Sequence, residues 1–245
     1  MVEPLFIYQA SNSLVVGQIF CLDGDEGRHA AQVRRLRVGQ LFQVTDGHGF
    51  RVHCEVVSAN KNSIDAHVLS TESEPQGAVS FTLVQALAKS DRDEMAVQAC
   101  TELGVQTIVP WASNRSISKW DGDKQIKGQA RWQQIALEAS KQALLVWHPN
   151  VEPITKTVDL ETKLGSEIQV LVLDPTSSKS ITSVEITATK VAIVVGPEGG
   201  IDADELSEFE KFGFNRVHLG TGILRTSTAA MAAISFLSGR SGLWG

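Results

Sequence analysis

The sequence contains no apolar run long enough to cross a bilayer: the longest, such as residues 191 to 195, fall far short of the roughly 20 residues a spanning helix needs. The opening MVEPLFIYQA has no basic segment followed by an apolar one, so no secretory leader and no membrane partner are expected, and the cytoplasm is the expected compartment. Cysteine is scarce. Cys21, Cys54 and Cys100 are far apart, form no CxxC pair and have no metal-ligand spacing with the six histidines, so they are expected to be reduced, buried and inert, with no metal site. Phosphate-binding glycine motifs are also missing. No Gly-Lys-Ser/Thr follows a strand, and the nearest approach to GxGxxG, GTGILR at residues 220 to 225, puts arginine where the third glycine belongs. A formal net charge of −6, from 22 Lys and Arg against 28 Asp and Glu, argues against indiscriminate DNA binding, so any nucleic-acid contact must come from local clustering.

What is present is ordinary globular material. The 245 residues are 42% apolar and 20% charged, enough for one large domain or two smaller ones. From residue 4 to about 72, short β-rich runs (LFIY, SLVVGQIFCL, QLFQVTDG, FRVHCEVVSA, SIDAHVLS) alternate with Gly, Asn and Asp turns, as in a small β-barrel with one helical insertion. The stretch TESEPQGA then loses all periodicity. The expected division is residues 1 to 72, a linker at 73 to 77, and a second domain at 78 to 245. There, strands (VSFTLVQAL, VQTIVPW, IQVLVLD, KVAIVVG, RVHLG) alternate with helices at about 91 to 103, 125 to 144, 202 to 212 and 226 to 239, the pattern of an α/β domain with a mostly parallel sheet.

In such sheets ligands bind beyond the carboxyl ends of strands. Three of those ends carry unusual sequence: LVLDPT (171 to 176), VVGPEGG (194 to 200) and HLGTGILRTSTAAMAA (218 to 233). Gly199 and Gly200 suit close approach of main chain to a ligand or a positive φ, while Pro197 stiffens the same turn. Acids at 202, 204 and 205 mark a helix start, and the Ser/Thr cluster after Arg225 is expected to cap another.

GPEGG followed by LGTGILRT, with AKSDRDEMAVQACTELGVQTIVPW upstream and HAAQVRRLRVGQ in the β-rich domain, resembles the bacterial 16S ribosomal RNA uracil-N3 methyltransferase family, over essentially the whole chain. The resemblance implies a SPOUT-class α/β domain tied in a trefoil knot behind a PUA-like β-barrel. It implies S-adenosylmethionine as cofactor, a uridine of 16S ribosomal RNA in the decoding region, within the assembled small subunit, as substrate, and a homodimer. Leu173, Gly196, Pro197, Glu198, Gly199, Gly200, Ile201, Leu219, Gly220, Ile223, Leu224, Arg225 and Thr228 would then surround the cofactor, with Ile201, Leu219, Ile223 and Leu224 as apolar walls.

Arg225 would otherwise be a solvated surface arginine, but the resemblance puts it at the methyl-transfer site, where an always-protonated guanidinium stabilises the anion formed when uracil N3 loses its proton. Glu198 is either the base or, more commonly for a carboxylate in a glycine turn, a brace accepting backbone N–H bonds. His29 and His148 are weak base candidates. Arg28, His29, Arg34, Arg35 and Arg37 form a basic helical stretch with no acid from residue 28 to 45, and clustered cations suit RNA phosphates better than a merely solvated face. A second basic group, Arg115, Lys119, Lys124, Lys127 and Arg131, flanks Trp120 and Trp132.

The chain also departs from the family pattern. Gly222 stands where many relatives have arginine, Ser227 where they have glutamate, Leu145 in place of an arginine and Ala99 in place of a lysine. Two alternatives stay open on the sequence alone: a non-catalytic RNA-binding factor on the same fold, and a methyltransferase acting on another RNA.

Overall fold

The computed structural model describes residues 2 to 244; Met1 and Gly245, the outer limits of the two expected domains, lie outside the described residues. The chain divides into two compact units, one running to Gln76 and including Ser140–His148, the other made of Gly77–Ala139 and Pro149 onward.

The first unit contains β1 (Leu5–Ile7), β2 (Ile19–Leu22), α1 (Gly24–Arg28), β3 (Leu41–Thr45), β4 (Phe50–Ala59) and β5 (Ile64–Ser73). Its sheet has the order β1-β3-β4-β5-β2, antiparallel except for the β1/β3 pair. Period-two alternation builds the core: Val52, Cys54 and Val56 on β4 and Ile64, Ala66 and Val68 on β5 point inward beside Phe6, Phe20 and Phe42. The same alternation corrects one expectation. Cys21 lies on the edge strand β2, between inward Phe20 and Leu22, and is exposed; Cys54 and Cys100 are buried, and burial pushes both thiols up to about 12.

The basic stretch is not one helix. α1 ends at Arg28, a π-turn covers His29–Val33, and Arg35 adopts φ +54°, so Arg34, Arg35 and Arg37 stand on exposed irregular chain around the buried Leu36. The segment Ser140–His148 is fastened within this unit by a largely buried Lys141 Nζ to Glu26 Oε1 pair (2.8 Å), by Arg51 donating to Leu144 O (3.0 Å) and by Trp147 Nε1 donating to Glu74 O (2.9 Å). His148 is half-buried here, and desolvation holds its pKa below the usual histidine range.

The second unit comprises β6 (Ser80–Ala86), α2 (Arg92–Glu102), β7 (Thr107–Ala112), α3 (Asp123–Gln142, its last three residues counted with the first unit), β8 (Asn150–Val151), β9 (Thr155–Lys156), α4 (Leu160–Leu164), β10 (Gln169–Leu173), β11 (Lys190–Val195), α5 (Ala203–Lys211), β12 (Asn215–Val217) and α6 (Thr226–Arg240). All its pairings are parallel, in the order β12-β10-β11-β6-β7-β8, with β9 also on β7. Strands buried on both faces read as continuous apolar runs, because successive residues feed opposite layers. Leu83, Leu171 and Ile193 pack with Val97, Cys100, Ala233, Ile234 and Leu237 of α2 and α6; Val84, Val172 and Val194 pack with Leu160 of α4, Phe209 of α5 and Trp111. The two-residue strands β8 and β9 are too short to announce themselves by any alternation. Among the described residues no helix is long and apolar enough to cross a membrane.

Candidate cofactor and methyl-transfer site

Because β12, β10 and β11 are neighbours and parallel, their carboxyl ends share one edge of the sheet. The loops that follow enclose a cavity of about 510 Å³. The three stretches singled out in sequence therefore meet in space. Leu173, Gly196, Pro197, Glu198, Gly199, Gly200, Ile201, Leu219, Gly220, Ile223, Leu224 and Arg225 all line the cavity, whereas Thr228 does not and Thr226 does. Ile201 and Leu219 are half-buried walls, but Ile223 is 80% and Leu224 44% exposed, so the last two stand at the rim.

The turn after β11 is closed by Gly200 N–H donating to Pro197 O (2.9 Å). Only Gly200 has a positive φ, +70°; Gly199, expected to share that freedom, does not, because it lies within the turn with its carbonyl turned to Arg115 Nη1 at 3.1 Å. Gly196 is required for a different reason: a Cβ there would lie 2.7 Å from Ile201 Cγ1. Glu198 reaches across to accept the Lys89 N–H (3.0 Å), with Arg92 Nη1 3.5 Å from the same oxygen. These contacts tie the turn to the chain just before α2 and to its first residue.

Asp202 caps α5, accepting the Glu205 N–H (2.8 Å), and Glu205 returns a bond to the Asp202 N–H (3.4 Å). The Glu205 N–H, above other causes, holds the Asp202 carboxyl below the usual range. The fully buried Glu205 also accepts from Ser113 Oγ (3.0 Å), Asn114 N–H (2.8 Å) and Thr157 Oγ1 (2.8 Å), joining three separate segments beneath the cofactor loop. Glu205→Leu strands these buried donors, so it is expected to cost about 3 kcal/mol of stability, read as a lowered urea midpoint, with Glu205→Gln milder. A midpoint unchanged by Leu would show the network to be dispensable.

Arg225 is the N-cap residue of α6 but contributes no side-chain cap, and the Ser/Thr cluster does not cap the helix either. Its hydroxyls are used elsewhere: Thr228 Oγ1 donates to Arg225 O (3.2 Å), and Thr226 Oγ1 accepts from Nε2 of the fully buried Gln85 on β6 (2.8 Å). Gln85 thus ties the start of α6 to the middle of the sheet. The Arg225 guanidinium makes no hydrogen bond or ion pair among the described residues, leaving its donors free toward the cavity.

Asp174, His218 and Arg92 are among the lining residues that sequence reasoning did not assign. Asp174, at the end of β10, is buried; burial alone would raise its pKa, but the Thr176 N–H and the Arg216 guanidinium (2.6 and 2.9 Å) hold it low. His218 accepts the Gly220 N–H on Nδ1 (3.1 Å), which leaves Nε2 protonated in the neutral ring and braces the loop. Arg92 begins α2 immediately after Ser90 and Asp91, both at positive φ (55° and 57°). His218 and Asp174 were each visible as the residue following a strand; Arg92 gave no such signal. Of the basic residues, Arg115 lines this cavity, while Arg28 (paired with Asp25 at 2.7 Å), Arg34, Arg35 and Arg37 belong to the first unit. His29 and His148 also lie there. Gly222 lines the cavity with open space where a Cβ would stand; Ala99, Leu145 and Ser227 do not line it.

Residues 75–238 match the RNA methyltransferase domain family and residues 22–69 the RNA methyltransferase PUA domain. The chain is 36% identical over 233 residues to the ribosomal RNA small subunit methyltransferase E of Mycobacterium bovis, covering 93% of this chain and 89% of that one, and 28% identical to its Bacillus subtilis counterpart over 96% of each. Among solved structures, the methyltransferase E of Neisseria gonorrhoeae bound to S-adenosyl methionine superposes with a TM-score of 0.88 at 29% identity over 98% of both chains. A putative methyltransferase of Legionella pneumophila in complex with the same cofactor gives 0.86 at 25%, again over 98% of both. The second unit accordingly has the knotted α/β fold of the SPOUT class and the first is PUA-like. With its fold, its cavity and both of its family matches in agreement, the chain belongs to the ribosomal RNA small subunit methyltransferase E family.

Proposed function

We propose that this chain methylates N3 of a uridine in 16S ribosomal RNA, using S-adenosylmethionine held by the three loops at the edge of the parallel sheet. The observation that carries the reading is the convergence of those loops and the unpaired Arg225 on one cavity. Its residues fit the cofactor: about 510 Å³ lies in the range of small-molecule pockets, Gly196 leaves room for the Ile201 wall, and Gly200 supplies the positive φ that closes the turn. When bound, the cofactor supplies an electrophilic methyl group. The chain's part is to fix the line from uracil N3 to that methyl and to place the Arg225 guanidinium against the charge that spreads to the uracil carbonyls as N3 loses its proton. Glu198, engaged by Lys89 and Arg92, serves as a brace rather than a base.

The exposed Ile223 and Leu224 at the rim support a homodimer in which a second copy covers them. The assembled small subunit is taken as the substrate, because the first unit adds a separate cationic surface. Mass mapping of methylated nucleosides in 16S ribosomal RNA from cells with and without the gene tests the activity; an unchanged map rejects it. Calorimetric titration with S-adenosylhomocysteine separates it from a non-catalytic RNA-binding factor, which would not bind. For the first unit, Arg34→Glu with Arg35→Glu is expected to weaken RNA binding and flatten its salt dependence while leaving cofactor affinity unchanged. Equal loss of both affinities would mean misfolding instead.

A further inference from the structure

Three guanidinium groups line the cavity from three elements: Arg92 at the start of α2, Arg115 in the loop after β7 and Arg225 before α6. The cofactor offers one carboxylate against its sulfonium and ammonium, so three cations around the cavity point to a further anion among the ligands. Arg92 and Arg115 form a pair apart from Arg225, because both are tethered to consecutive residues of one turn. Arg92 Nη1 lies 3.5 Å from Glu198 Oε1, and Arg115 Nη1 donates to Gly199 O at 3.1 Å. Each tether uses one of a guanidinium's five N–H donors, and neither group has another hydrogen-bond partner among the described residues.

The nearby carboxylates are already committed. Asp174 is held by Arg216 and Thr176, Asp202 by the Glu205 N–H and Asn114 Nδ2, and Glu198 by the Lys89 N–H. The backbone ahead of Arg92 is itself held in an unfavourable shape. Ser90 and Asp91 sit consecutively in the left-handed region, and carboxylates pin the two residues just before them: Glu198 on the Lys89 N–H and Asp93 on the Ala88 N–H at 2.9 Å. That arrangement fixes where α2 begins and so where Arg92 projects.

We propose that Arg92 and Arg115, tethered to Glu198 and Gly199 of a single turn, form a phosphate clamp that seats the RNA backbone phosphate adjoining the target uridine at the mouth of the cavity. This rests on the reading of the cavity as the methyl-transfer site. The planar fork of a guanidinium matches phosphate oxygens in pairs, and two forks anchored on one turn define a direction of approach for the strand.

The test uses small ribosomal subunits from cells lacking the gene as substrate, with the wild-type chain, Arg92→Gln, Arg115→Gln, the double variant, and Arg92→Lys to keep the charge. KM for subunits is expected to rise about 10-fold for each Gln variant, and the slope of log KM against log salt to fall by about 1 per arginine removed. Arg92→Lys is expected to keep the slope, and kcat and the calorimetric Kd for S-adenosylmethionine to stay within about twofold throughout. A raised cofactor Kd with unchanged KM for subunits overturns the proposal, since the arginines would then be reading the cofactor carboxylate. An unchanged salt slope overturns it as well. Failure of the wild-type chain to methylate the subunits at all instead removes the underlying functional reading.

Discussion

Replacing Arg225 with alanine is expected to slow methyl transfer by about 10²-fold, the scale seen when a preorganised charge-stabilising donor is removed. Cofactor affinity is expected to change far less, because the groups that wrap the cavity are mainly the backbone and apolar side chains of the three loops. The expectation follows from what surrounds the side chain. No carboxylate or carbonyl of the described residues neutralises the guanidinium, so its full charge is available to the reacting base. Its position is set from below, through the Gln85 to Thr226 hydrogen bond and the Thr228 hydroxyl on its own carbonyl. The rate loss is expected to shrink as pH rises, since uracil N3 then ionises with less help and the arginine's contribution to forming the anion counts for less. Single-turnover pH profiles of the wild type and Arg225→Ala on small subunits measure this directly. Parallel profiles with a constant gap would assign Arg225 to holding RNA, and equal rates would remove it from the site.

How far this site could be read from the chain depends on which interactions are local. Strand ends, glycines and the Asp202 start of α5 are local, and reading along the chain placed LVLDPT, VVGPEGG and HLGTGILRT on one sheet edge. The partners of those residues are not local. Glu198 meets Lys89 across 109 positions, Gln85 meets Thr226 across 141, and Glu205 meets Ser113 across 92. Hydrophobic periodicity carries no trace of such pairings, because each polar side chain looks like any surface residue until the fold buries it. The absence of a side-chain cap on α6 has a simpler origin: the N-cap position falls on Arg225, whose guanidinium has no acceptor for a backbone N–H, while the Thr226 hydroxyl one residue later is met by Gln85 from a distant strand. Likewise Arg28 to Arg37 looked helical because local preference favours it, while the burial of Leu36 and the left-handed Arg35 break the helix after a π-turn.

Gly196→Val and Gly200→Val are each expected to weaken S-adenosylhomocysteine binding by about 10²-fold or more, whereas Gly199→Ala should stay within a few-fold. The three glycines are close in sequence but constrained differently. At Gly200 the backbone has φ +70°, a region where a β-branched side chain is strongly disfavoured, so valine would force the turn open and carry the Pro197 to Gly200 hydrogen bond with it. At Gly196 the dihedral is ordinary, and the obstacle is Ile201, whose Cγ1 would lie 2.7 Å from a new Cβ. Ile201 lines the cavity, so relieving that clash moves a wall of the site. At Gly199 a Cβ would meet Arg115 Cβ at 3.4 Å, an ordinary van der Waals contact that needs no rearrangement. Calorimetric titration gives the three affinities, and thermal unfolding with and without ligand checks them independently: a chain saturated at 100 times Kd gains about 2.7 kcal/mol, a gain that should fall to about 0.4 kcal/mol or less for the two valine variants at the same concentration. Their unliganded midpoints report whether the fold survives, since the cavity lies on loops beyond the strand ends rather than in the core. If Gly199→Ala proved as damaging as Gly200→Val, backbone freedom and wall contact at 200 and 196 would not be what shapes the cofactor site, and a side-chain-independent role for the Gly199 carbonyl and its Arg115 tether would replace them.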